Sequence, residues 1–142
     1  MGRILAIDYG RRRVGLAVTD ILQIVPNGLT TVRACDALDY ITRYVAAEDV
    51  EQIIIGLPRQ MSGEYSESMT YIRPFVKKLK AAVTTPIAFV DERFTSILAQ
   101  HAMTEAGLKN KIRKDKGMVD EISATIILQS YMDNRAAATD TI

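Results

Sequence analysis

Cysteine and histidine each occur once in the 142 residues, as Cys35 and His101. A lone cysteine rules out an internal disulfide and fits a reducing cytosol, so a cytoplasmic location is expected. One cysteine with one histidine also leaves too few ligands for a zinc site. No apolar run approaches the roughly 20 residues that span a bilayer, and no membrane association is expected. A strand-like run begins almost at the first residue, which leaves no room for a signal peptide. Charge of one sign is missing too. Lys and Arg number 18 against 17 Asp and Glu, a net charge of +1, so overall charge announces no polyanionic partner. There is no internal repeat, linker or low-complexity segment, and no aromatic series spaced for stacking on bases.

What is present is ordinary for a globular protein: 48% hydrophobic and 25% charged residues. The length suits one domain, expected over residues 1–135, with the small and polar residues 136–142 as a flexible tail. Cys35 has no histidine near it in sequence and reads as a small, packed apolar residue. His101 reads as an ordinary helix residue.

The most informative stretch lies at the start. Residues 4–7 form a short, branched and continuous apolar run that ends at Asp8. Gly10 and three arginines follow, Arg11, Arg12 and Arg13, before a second apolar run at 14–18. Continuous runs of this kind read as strands buried on both faces, and the short join reads as a hairpin with Gly10 supplying a positive φ. A third strand is expected at 29–32, after the turn around Pro26, which makes an antiparallel meander. Asp36 is placed to cap a helix carrying Leu38, Ile41 and Val45. A fourth strand follows at 50–56, then a loop, then a helix capped by Ser66 with Met69, Ile72, Phe75 and Leu79 on one face. Pro74 falls inside that helix and should cost a backbone bond and kink it. A fifth strand at 87–90 runs into Asp91 and Glu92. A helix capped by Thr95 or Ser96 ends at Gly107, and a last helix spans about 117–134. The pattern βββαβαβαα gives an α/β fold, a mixed five-stranded sheet flanked by helices on both faces.

In such sheets ligands gather at the carboxyl ends of the strands. Asp8 and the pair Asp91-Glu92 lie at such ends, whereas Asp20 closes an antiparallel strand at the opposite edge and is set aside. On the last helix Asp120 heads a stripe of Ala124, Ile127, Leu128 and Tyr131, while Glu121 lines up with Thr125 and Gln129 in a row expected to be exposed. Asp120 therefore either serves the helix N-terminus or meets a cation. Three converging carboxylates repel one another unless a hard cation compensates, and Mg²⁺ or Mn²⁺ suits oxygen donors. Between Asp91 and Glu92 the longer Glu92 is favoured, although a doubly covered strand gives no alternation to fix the choice. The arginines 11–13 and the segment 109–116, which holds Lys111, Arg113 and Lys114, are either solvated loops or phosphate-holding patches.

Four segments stand in the order of a known family. They are Ile7-Asp8-Tyr9-Gly10 with Val14-Gly15-Leu16-Ala17-Val18; Ile55-Gly56-Leu57-Pro58; Asp91-Glu92-Arg93-Phe94-Thr95-Ser96; and Val119-Asp120 with Ala124 and Ile127-Leu128-Gln129-Ser130-Tyr131. Together they resemble the pre-16S rRNA nucleases, also described as Holliday-junction-resolvase-like proteins, of the RNase H-like superfamily. The departures are Arg59-Gln60-Met61 after Pro58, and Pro74. The resemblance implies a sheet of order 3-2-1-4-5, with Asp8, Glu92 and Asp120 as metal-binding catalytic acids. It implies trimming of the 5′ end of the 16S rRNA precursor in ribosome biogenesis, with resolution of branched DNA as the alternative.

The expected mechanism is metal-dependent phosphodiester hydrolysis, with Asp8 bridging two Mg²⁺ or Mn²⁺ ions about 3.5–4 Å apart. Arg11, Arg12, Arg13, Arg93, Lys111, Arg113 and Lys114 would hold the nucleic-acid backbone. The partners expected are precursor rRNA in preference to branched DNA, and the ribosome; the state is monomer or homodimer. Two other readings compete: a non-catalytic RNA-binding module, and a phosphotransferase of the actin-like kind suggested by Asp8-Tyr9-Gly10 with Val14-Gly15. The latter needs two such domains, and the length supplies one.

Overall fold

A computed structural model describes residues 2–58, 67–91, 116–140 and 142 of the chain. Its centre is β1 (Arg3–Tyr9), which pairs antiparallel with β2 (Arg13–Thr19) and parallel with β4 (Val50–Leu57). β3 (Pro26–Arg33) lies antiparallel outside β2, and β5 (Ile87–Asp91) parallel outside β4, giving the order β3-β2-β1-β4-β5. This mixed sheet is the one the sequence pattern and the family resemblance led us to expect. The continuous apolar runs at 4–7 and 53–55 are fully buried in the central strand β1 and its neighbour β4.

Alternation along the strands sorts their side chains between two cores. Leu5, Ile7, Leu16, Ile53, Ile55 and Phe89 pack against α1 (Ala34–Ala47) and α2 (Met69–Ala82) through Ile41, Ile72, Phe75 and Leu79. Ile4, Ala6, Ala17, Ile54 and Val90 face the other way, onto Ala124, Ile127 and Leu128 of α3 (Lys116–Asp133). Each such aliphatic side chain contributes about 1.5–3 kcal/mol by leaving water. The second face is built from smaller residues, so α3 lies close to the sheet.

Several local expectations are corrected. Gly10 closes the hairpin by donating its N–H to the Arg13 carbonyl at 2.9 Å, without a positive φ. A Cβ on Gly10 would stand 2.5 Å from that carbonyl oxygen, so crowding explains the glycine. β3 is longer than the run at 29–32; Pro26 is tolerated as its first residue because β3 is an edge. α1 starts at Ala34, two residues before Asp36, which lies in its first turn instead of at the cap. The carbonyl of Arg12 accepts the Ala34 N–H at 2.8 Å, so the hairpin turn supplies the partner a capping side chain would have provided. Cys35 is exposed at the start of α1 and not packed.

α2 runs as one helix through Pro74, with Ser68 at its N-cap position; Ser66 lies outside the described residues. The helix proposed to start at Thr95 or Ser96, with His101, lies outside them as well. After α3 a single 3-10 turn (Arg135–Ala137) leads to Thr139, which exchanges two backbone bonds with Phe89 at 2.6 and 3.0 Å. Ile142 packs on the α1–α2 core. Among the described residues no helix is long and apolar enough to cross a membrane.

Candidate nuclease site

Asp8 is the penultimate residue of β1, at the carboxyl end of the central strand. Ile4 and Ala6 face α3, so alternation turns Asp8 to that side and Tyr9 to the α1–α2 side. Directly across the ladder from Asp8 stands Gly15. An ideal Cβ on Gly15 would lie 2.1 Å from the carbonyl oxygen of Asp120 and 2.4 Å from its carbonyl carbon. Only a residue without a side chain lets the backbone of α3 settle there. That contact seats Asp120 beside Asp8.

The two carboxyl groups feel each other. Burial, and then the charge of Asp120, push the Asp8 carboxyl up to about 7 from its ordinary 3.8. Asp8 therefore carries a proton over much of the acid range, and a cation in place of the proton would offset the cost of a buried charge and the repulsion from Asp120. Asp120 has a partner of its own. Nε of Arg13 donates to its Oδ2 at 2.9 Å, with both side chains partly in solvent. Arg13 opens β2 one strand from Asp8, so the ion pair joins the end of the hairpin to the first turns of α3.

The arginines expected to act alike thus divide. Arg11 and Arg12 are exposed in the hairpin turn, while Arg13 is committed to Asp120. Glu92, Arg93, Lys111, Arg113 and Lys114 lie outside the described residues. Asp91 closes β5 and is exposed, opposite Leu57 in the parallel ladder. Among the described residues no group of three His, Cys, Asp or Glu side chains gathers, and of the candidate acids only Asp8 and Asp120 are brought together there. Glu121 is partly buried, contrary to the exposed row expected. It stands over Gly28 and takes the Thr31 hydroxyl at 3.5 Å, because α3 packs across β2 and β3 as well as β1. Asp20, set aside from sequence, accepts N–H bonds from Leu22, Ile24 and Val25. Those bonds, that of Val25 foremost, hold its carboxyl below the usual range.

Sequence reasoning missed two parts of this arrangement. Gly15 sits within an apolar strand, a pattern that signals close approach of another backbone, and could have been found that way. The Arg13–Asp120 pair joins residues 107 apart and leaves no local signal.

A profile of the family described as "RuvX: Holliday junction resolvase" matches residues 2–134. The chain is 60% identical over 136 residues to the "Putative pre-16S rRNA nuclease" of Bacteroides fragilis, covering 95% of this chain and 99% of that protein. The protein of the same name from Porphyromonas gingivalis is 61% identical over 135 residues, covering 94% and 98%. That of Flavobacterium psychrophilum is 48% identical over 136 residues, covering 95% and 99%. Among solved structures, "T. thermophilus RuvC in complex with Holliday junction substrate" superposes with a TM-score of 0.58 at 12% identity, covering 99% of this chain and 100% of that one. At that identity the likeness speaks for the fold, which is RNase H-like. The protein whose hairpin, close-packed last helix and paired carboxylates have been described belongs to the RuvX family.

Proposed function

We propose that the protein is a metal-dependent nuclease that processes the 5′ end of the 16S rRNA precursor. The observation that carries this reading is the Asp8 carboxyl, partly buried beside Asp120 and pushed to about 7 by that burial and that charge. Such a pair suits a hard divalent cation, since both groups offer oxygen donors and neither burial nor repulsion favours the bare anions. The names of the relatives supply the substrate.

Asp8 and Asp120 would hold Mg²⁺ or Mn²⁺, with Glu92 as the third acid. Such an ion, when bound, would supply Lewis acidity and an activated water. The remaining work falls to the chain itself. Gly15 admits α3, and Arg13 fixes one oxygen of Asp120, so that the carboxylates keep their relative positions as substrate arrives. Arg11 and Arg12 stand in the exposed turn beside Asp8 and would bind backbone phosphates, together with Arg93, Lys111, Arg113 and Lys114. Contacts of that kind position RNA and DNA alike, so branched DNA is the competing substrate, favoured by the description of the family.

The test is cleavage of a precursor 16S rRNA end and of a four-way DNA junction side by side, with Mg²⁺ or Mn²⁺. Precursor RNA should be cut and the junction not. Asp8→Asn should lower the rate about 100-fold or more, since even groups that only orient metal ligands cost 10–100-fold. An Asp8→Asn protein that cuts as well as the parent would sink the mechanism.

A further inference from the structure

A cleft opens on the other face of the sheet end from Asp8. Tyr9 forms its floor, stacked on Phe75 of α2 with ring centroids 4.2 Å apart, and Tyr71 leans on Tyr9 at 6.1 Å. Leu38 of α1 and the exposed Lys78 of α2 complete a volume of about 310 Å³. Tyr71 is also a wall of a second opening of about 460 Å³, which holds Arg11 and Glu67. Tyr9 and Tyr71 keep part of their surface in solvent, while Phe75 beneath is buried. These rings come from positions 9, 71 and 75, too far apart for the sequence to show a stacking series.

We infer that this cleft is a base-binding subsite for an unpaired nucleotide next to the one cleaved at Asp8. The inference rests on the nuclease reading above and narrows its substrate to single-stranded nucleic acid. Three observations converge. Tyr9, Tyr71 and Phe75 put aromatic rings into a lining that is otherwise small or aliphatic apart from Lys78, and the volume admits a base. Its two cations, Lys78 at the rim and Arg11 in the adjoining opening, face only Glu67 among the described lining residues, which suits a phosphate backbone. The cleft also adjoins the proposed reaction site, because Asp8 and Tyr9 are consecutive residues whose side chains leave opposite faces of the sheet. A nucleic-acid strand serving both must pass over the hairpin turn, with Arg11 and Arg12 beneath it. A single strand can make that bend. A duplex pays a deformation energy to be kinked there, which favours the single strand.

Binding can be read without cleavage, in EDTA, on the full chain. The probe is a twelve-nucleotide single-stranded RNA carrying 2-aminopurine at one position at a time. Quenching is expected at one or two positions only. An abasic spacer there should weaken binding to the parent protein about 10-fold, the scale of one base stacked on an aromatic ring. Tyr71→Ala should weaken the intact oligonucleotide by a similar factor and leave duplex affinity unchanged, while Tyr71→Phe should bind like the parent. Uniform quenching along the strand, or indifference to the abasic spacer, would overturn the subsite. The abasic measurement needs no variant, so it stands even if Tyr71→Ala misfolds. The nuclease reading fails separately: position-specific quenching without metal-dependent cleavage sinks that reading and leaves the subsite standing.

Discussion

Asp8 gives the molecule a charge that its fold resists. Because the folded carboxyl titrates near 7 and an unfolded one near 3.8, the folded state holds more protons between those values. Stability of the metal-free protein therefore falls as pH rises through that window, by 2.303RT per unit for each proton difference. Discounted for the partial exposure of the group, the loss is on the order of 1–3 kcal/mol by pH 8. Asp8→Asn should abolish this slope, and urea melts of both proteins at pH 5 and pH 8 in EDTA will show it. Equal pH dependence in the two would mean that Asp8 is not the group responsible. The sequence revealed Asp8 as an acid at a strand end. It did not reveal which way Asp8 points, because β1 is apolar on both faces and offers no alternation; the two cores settled that.

At the scale of elements, the union of β2 with α3 decides whether Asp120 stands beside Asp8. Its signal was half legible. The stripe of Asp120, Ala124, Ile127 and Leu128 shows by its period that Asp120 heads the packed face. The depth of that packing was not legible, since it depends on a missing side chain across the interface. Gly15→Ala would drive a Cβ into the backbone of Asp120 at 2.1 Å, where no flexible chain end can yield. Overpacking of this order costs about 1–3 kcal/mol and must shift α3. We expect a lower urea midpoint together with loss of nuclease activity; a Gly15→Ala protein with parental stability would refute the contact. The exposed Cys35 teaches a related lesson. A residue in the first turn of a helix is placed by how the chain enters, and here the entry is fixed by the Arg12 carbonyl of a distant turn.

For the molecule as a whole, a mixed five-stranded sheet was legible from connectivity, a tight meander and then crossovers through helices, while the order of its strands came from the family resemblance. The closing of the β5 edge was not legible, because residues 136–142 are small and polar and resemble a loose end. Thr139 nevertheless pairs with Phe89, laying the chain along the outer strand. Thr139→Pro removes the N–H that reaches the Phe89 carbonyl at 3.0 Å. Loss of one such bond should cost about 0.5–1.5 kcal/mol. Amide exchange at Phe89 should quicken while that of Ile54 in the sheet centre stays slow.

The ion pair of Arg13 with Asp120 joins an early part of the chain to a late one, 107 residues apart. A ribosome adding about 5–20 residues per second needs about 5–20 s to travel between them. Throughout that interval the growing chain holds Asp8 and its arginines without the helix that completes them. The proposed site, which needs Asp120, is therefore incomplete until α3 has emerged and docked.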